Sequence, residues 1–165
     1  MSGCGYVAGG FKYQGRGIVV SPVVNKIKIA TEARKYTGYV SYPILIEDKL
    51  TNEIIRQFNI DGNLVVTRQG PQALILTCAV VDYDKETLRY TDSDDVKEQR
   101  LRLRVEMKLH SSDGTLLQHR RVVGESSYYL EQEFMGDDKK SESFAQVELV
   151  RDTARRIVEA VVEEW

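Results

Sequence analysis

The chain has 165 residues, a formal net charge of −2 and a hydrophobic share of 42%. That length suits a single domain, and that share suits a packed core rather than a disordered chain. The near-neutral balance gives no support to a nucleic-acid binder, which is usually strongly basic, and no apolar run is long enough to cross a bilayer.

The first residues, Ser2-Gly3-Cys4-Gly5, place a small residue and a glycine before a cysteine. This matches the end of a bacterial lipoprotein signal, in which the cysteine becomes the lipidated first residue of the mature chain. The apolar part of such a signal is not in the chain, so the sequence is expected to begin close to a mature start. A chance cysteine in a Gly-rich stretch is the alternative. Gly5 to Gly17 has no periodicity and reads as an extended tether, which sets residues 1–20 apart from one domain over 21–165. The glycines here are not a nucleotide loop, because no strand precedes them and no helix follows.

After Ser21-Pro22, Ile27 and Ile29 alternate with lysines and predict a short strand over Lys26–Thr31. Glu32 to Tyr42 reads as a polar, tyrosine-rich loop. Pro43 suits the first turn of a helix running to about Asn59, with Leu50, Ile54, Ile55 and Phe58 as its apolar stripe. Asp61-Gly62 ends it. A second short strand covers Asn63–Thr67. Ala73 to Tyr83 is apolar at both parities, which predicts a central strand covered on both faces. Asp84 to Lys97 reads as a long acidic connector carrying Arg89-Tyr90.

Glu98 to Tyr129 predicts a hairpin. Leu101, Leu103, Val105, Met107 and Leu109 share one face at period two; Arg100, Arg102, Arg104, Glu106 and Lys108 share the other. Asp113-Gly114 supplies the turn, since both residues tolerate positive φ. The return strand keeps neither parity cleanly, with Leu116-Leu117 and Arg120-Arg121 adjacent, so a bulge is expected. Leu130 to Lys140 is a second loop. Ser141 or Ser143 caps a last helix to Glu164, with Phe144, Val147, Val150, Ala154, Ile157, Val158, Val161 and Trp165 recurring at three and four. The order β-α-β-β-β-β-α implies an α+β two-layer sandwich: two helices on one face of a four- or five-stranded mixed sheet. The connectors 84–97 and 130–140 fall at one end, and Asp113-Gly114 at the other.

Chemistry is sparse. His110 and His119 have no Cys or carboxylate at metal-ligand spacing. There is no Gly-x-Ser-x-Gly elbow and no phosphate loop ending in Lys-Ser or Lys-Thr. The pairs Asp94-Asp95 and Asp137-Asp138 lie in polar loops and read as solvated charge. Cys78 reads as a buried small hydrophobe. No catalysis, metal or cofactor is expected. The row Arg100, Arg102, Arg104 and Lys108 is the strongest polar feature. It reads either as a docking surface for an anionic or polar partner or as a solvated face whose charge a cross-strand residue such as Glu125 absorbs.

A wider pattern joins these pieces: a Cys4-Gly5-Tyr6 start, Tyr83…Arg89-Tyr90, and Glu98-Gln99-Arg100-Leu101-Arg102-Leu103-Arg104-Val105. Asp113-Gly114-Thr115-Leu116-Leu117, Gly124…Tyr128 and Ala154-Arg155-Arg156-Ile157-Val158…Trp165 follow in order. Together they resemble the LptE family of lipopolysaccharide-assembly lipoproteins over nearly the whole chain. The resemblance implies a non-enzymatic outer-membrane lipoprotein facing the periplasm. It would plug the LptD β-barrel, bind lipopolysaccharide and assist its transport to the cell surface. Cys4 would then be the lipid anchor in the membrane. Arg89, Lys139 and Lys140 would contact lipid A phosphates, and Arg100, Arg102, Arg104 and Lys108 the barrel wall or the ligand. Two alternatives are a periplasmic lipoprotein adaptor of another envelope or secretion complex without lipid binding, and a cytoplasmic dimerising module with a chance Cys4.

Overall fold

The computed structural model describes residues 13–27, 42–90, 96–130 and 141–163. The strands are β1 (Gly17–Val20), β2 (Val24–Asn25), β3 (Val65–Val66), β4 (Leu74–Tyr90), β5 (Val96–His110) and β6 (Leu116–Tyr129). The helices are α1 (Ile46–Asp61) and α2 (Glu142–Val162). The sheet runs β3-β1-β4-β5-β6, with β2 also paired to β4. It is an α+β two-layer fold as expected, but with six strands rather than four or five.

β1, β3 and β4 are parallel, and β4, β5 and β6 form an antiparallel meander. β6 therefore points the same way as β4. Each helix follows one of these co-directional strands and returns across the same face, so α1 and α2 are parallel, with both N-termini at the β4–β5 hairpin end. α1 packs on β1 and β3, α2 on β5 and β6, and the two helices on each other.

The core lies between the helices and one sheet face. Leu101, Leu103, Val105, Met107 and Leu109 of β5 are fully buried, as their period of two predicts. α1 adds Ile46, Leu50, Ile54 and Phe58, and α2 adds Leu149, Ala154, Ile157 and Val161. Each of these side chains other than Ala154 contributes about 1.5–3 kcal/mol by leaving water. Ser141 caps α2 by accepting from the Phe144 amide at 3.3 Å. α1 starts differently: Leu45 stands at its N-cap in the left-handed region, with no side-chain cap. Pro43 accordingly precedes the helix rather than occupying its first turn. Gly62 ends α1 at φ 74, donating its N–H to the Phe58 carbonyl, as the sequence predicts.

Several expectations are corrected. The entry strands come earlier than Lys26, at β1 and β2, and residues 28–31 lie outside the described residues. Gly17–Val20 is sheet rather than tether, because parallel pairing to both β3 and β4 recruits it. β4 is central, but both helices sit on one side of it. Its register skips Val81 between Val80 and Asp82. Leu74, Leu76, Cys78 and Val80 thus face the helices before the skip and Tyr83 after it. The bulge swaps parity, so apolar residues at both parities do not require two covered faces. The connector Asp84–Lys97 is largely strand, since β4 continues to Tyr90 and β5 begins at Val96. The expected bulge in the return strand falls at Leu117, where Leu109 pairs Gln118 and His110 pairs Leu116. The turn stands as predicted, with Gly114 at φ 90 and the Asp113 carboxylate accepting from the Thr115 amide at 2.9 Å.

Candidate functional site

The sheet face away from the helices carries the arginine row. Alternation along β5 points Arg100, Arg102, Arg104, Glu106 and Lys108 to that side. The same alternation, after the bulge at Val81, brings Asp82, Asp84 and Glu86 of β4 opposite Arg104, Arg102 and Arg100. Arg102 donates to Asp84 at 3.0 Å and pairs with Glu86 at 2.8 Å. Arg104 donates to Asp84 at 2.7 Å and also bonds Asp82. Arg102, Arg104, Asp82 and Asp84 are about three-quarters buried and Glu86 about half, and the hydrogen bond to Asp84 holds the Arg102 guanidinium above its ordinary pKa. Arg102 and Arg104 therefore belong to a charge-paired ladder. Its bonded acids come from β4, while Glu125 of β6, opposite Arg102 as considered on sequence grounds, adds a smaller electrostatic contribution.

Further along the face, His119 lies 2.7 Å from Glu106. That contact, with Lys108 and Lys26 nearby, holds the Glu106 carboxyl below its usual range. Arg89 stands near the hairpin end of β4, exposed, with Glu98 of β5 at 3.3 Å. Lys139, Lys140 and Cys4 lie outside the described residues. The register places the end of β4, the start of β5 and the end of β6 at the same end of the sheet, opposite Asp113-Gly114.

Sequence reasoning missed a polar cluster on the helix side of that end. Lys85, inside the stretch read as a loop, turns inward after the bulge and meets Glu142 of α2 at 2.9 Å. Its ammonium also lies 5.3 Å from the Tyr128 ring centroid. The Tyr128 hydroxyl donates toward Gln99 at 2.7 Å and Glu142 at 2.9 Å. Burial, then Glu142, pushes the Tyr128 phenol up. Burial pushes the Glu142 carboxyl up as well, but Lys85 and Tyr128 outweigh it and hold the group below its ordinary value. Tyr42 and Tyr83 pack edge-to-face nearby, with ring centroids 5.9 Å apart. The cluster pins the N-terminus of α2 to the sheet. The one signal for it in the sequence was a lysine among acids, which by itself names no partner.

Among the described residues, no three His, Cys, Asp or Glu side chains gather as a metal site. Cys78 is buried in the core, and desolvation pushes its thiol up to about 12. No helix among the described residues is long and apolar enough to cross a membrane.

Solved structures share this fold. A hypothetical protein from Chlamydia trachomatis matches with TM-score 0.56 at 10% identity, covering 88% of this chain and 95% of its own. A protein from Xanthomonas campestris matches with TM-score 0.54 at 10% identity, covering 91% and 84%. An uncharacterized lipoprotein B from Nitrosomonas europaea is also similar, with TM-score 0.48 at 17% identity over 93% and 90%, which is below the similarity that shows a shared fold. At these identities the likeness concerns the fold alone. No curated protein matches the chain. The family model for LptE, lipopolysaccharide-assembly, matches residues 27–162, which takes in both helices and the whole meander. The chain belongs to the LptE family of lipopolysaccharide-assembly proteins.

Proposed function

We propose that this protein is an outer-membrane lipoprotein, facing the periplasm, that plugs the LptD β-barrel and assists lipopolysaccharide transport to the cell surface. The role is one of assembly and binding rather than catalysis. The family match over residues 27–162 carries this reading. The sheet face supports it. A domain inside a large barrel meets a polar lumen. A face on which Arg102 and Arg104 are already paired with Asp82, Asp84 and Glu86 enters such a lumen without leaving a lone buried charge. In this reading Arg100, Arg102, Arg104 and Lys108 meet the barrel wall as members of a mixed-charge ladder.

Arg89, Lys139 and Lys140 take the lipid A phosphates, for which charged donors are suited. Arg89 is 68% exposed and free to turn from Glu98 toward a ligand. Cys4 carries the anchor, since a cysteine bearing several acyl chains holds stably to a membrane. The test is affinity purification of the tagged, lipidated protein from its native envelope. A large outer-membrane barrel recovered in near-equal amount is expected. A soluble partner, or none, overturns the plug reading.

A further inference from the structure

A groove of about 480 Å³ runs along the outer side of the helix layer, between α1 and α2. Its floor is apolar: Ile46 from α1, and Val147 and Val150 from α2. Next in the chain to Pro43, Ile46, Ser143 and Gln146 of its lining, bulky apolar side chains stand in water. Ile44 is 82% exposed, Leu45 60%, Phe144 47% and Val147 52%. Leu45 also holds φ 60, a conformation that branched, bulky residues rarely adopt. Keeping two such side chains outside the core at a strained turn works against stability, and strain that persists is a pointer to function.

The rim decides what fits. Lys49, Arg56 and Arg151 line the groove against one carboxylate, Glu53. Glu53 is engaged by Arg56 at 2.8 Å and by Gln57 at 2.9 Å. Lys49 and Arg151 hold no ion pair among the described residues, Arg151 acts on Glu53 only at longer range, and cations outnumber carboxylates on the rim. Ile46 to Arg56 spans about 15 Å at the helical rise. The apolar end lies toward Ile46 and the cationic end toward Arg56 and Arg151. The volume falls within the range of small-molecule sites.

We propose that this groove binds a single-chain anionic amphiphile, its aliphatic chain along Ile46 and Val147 and its acidic head against Arg151. The site lies on the opposite layer from the arginine ladder and is distinct from the lipopolysaccharide contacts proposed at Arg89.

The test titrates the purified full chain with laurate, below its micelle-forming concentration, by calorimetry. Saturable one-to-one binding is expected. Val147→Glu, which puts a carboxylate on the apolar floor, should weaken it by about tenfold or more. Arg151→Glu should weaken it too, while Arg89→Asp should leave it unchanged. Val147 is half-exposed, so thermal melts should show Val147→Glu folded, and Val147→Ala gives a milder second reading. Lipopolysaccharide binding should survive Val147→Glu; loss of both ligands together would overturn a distinct site. Laurate binding that is absent, or untouched by Val147→Glu, overturns the proposal. So does equal competition by inorganic phosphate or by uncharged dodecanol. Success here with failure of the barrel pull-down would separate the groove from the plug reading.

Discussion

Gly124 of β6 lies directly beneath Thr153 of α2, so close that a Cβ on Gly124 would stand 1.9 Å from the Thr153 hydroxyl and 2.9 Å from its Cα. Gly124 pairs with Leu103 on the helix-facing side of the sheet, and Thr153 is fully buried, its hydroxyl donating to the Leu149 carbonyl at 2.6 Å. The missing side chain is what lets the helix settle onto the edge strand.

Gly124→Ala should therefore destabilise the fold by about 2–3 kcal/mol, the upper part of the range for overpacking a core. Because backbone as well as hydroxyl is in the way, adding Thr153→Ala should restore only part of the loss. Urea unfolding of the two single variants and the double variant measures this. Full restoration would mean that the hydroxyl alone sets the spacing.

Asp84 is the shared acceptor of Arg102 and Arg104, whereas Glu86 serves Arg102 alone. Asp84→Asn should cost about 1 kcal/mol and the more exposed Glu86→Gln less than about 0.5, in keeping with partly solvated pairs. The Asp84 effect should shrink as salt is raised, and unfolding midpoints at low and high ionic strength read the difference.

Asp152 joins α2 to the edge of the sheet. Its carboxylate accepts from the Glu125 amide at 3.0 Å and from Arg155 and Arg156 at 2.8 Å each. Burial pushes this carboxyl up, and those donors outweigh it and hold the group below its ordinary value. A depressed carboxyl pKa stabilises the fold above the unfolded-state pKa, about 4, and that contribution is lost as pH falls through the folded value. Asp152→Asn should thus be less stable than the parent at neutral pH, and the gap should close below about pH 4. A gap independent of pH would show that shape rather than charge matters at this position.

Arg89→Asp combined with Lys139→Asp should weaken lipopolysaccharide binding while leaving the melting temperature nearly unchanged, since Arg89 is mostly solvent-exposed. Binding of labelled lipopolysaccharide to the two proteins checks it. Unchanged binding would remove Arg89 from the site.

Much of the fold could be read before the structure. Leu101 to Leu109 alternate so strictly that only a half-buried strand satisfies them, and α2 repeats its apolar residues at three and four through several turns. The Asp113-Gly114 turn and the Gly62 stop rest on local φ preferences, which need no tertiary partner. The strand between Asp84 and Tyr90 was not legible, because acids in a row look like a solvated loop until arginines of another strand stand opposite them. The same applies to the arginine row, whose meaning changed from a bare basic face to a paired ladder once β4 was seen to pass Val81 with a bulge.

The amino-acid sequence by itself determined the two helices, the β5–β6 hairpin, the inward face of β5 and the family pattern, all carried by periodicity and turn chemistry within short stretches. Tertiary structure alone decided which acids neutralise Arg102 and Arg104, why position 124 holds glycine, and that α1 and α2 leave a groove between them. Those features depend on residues tens of positions apart, brought together by strand register and helix packing, and no local preference encodes a distance of that kind.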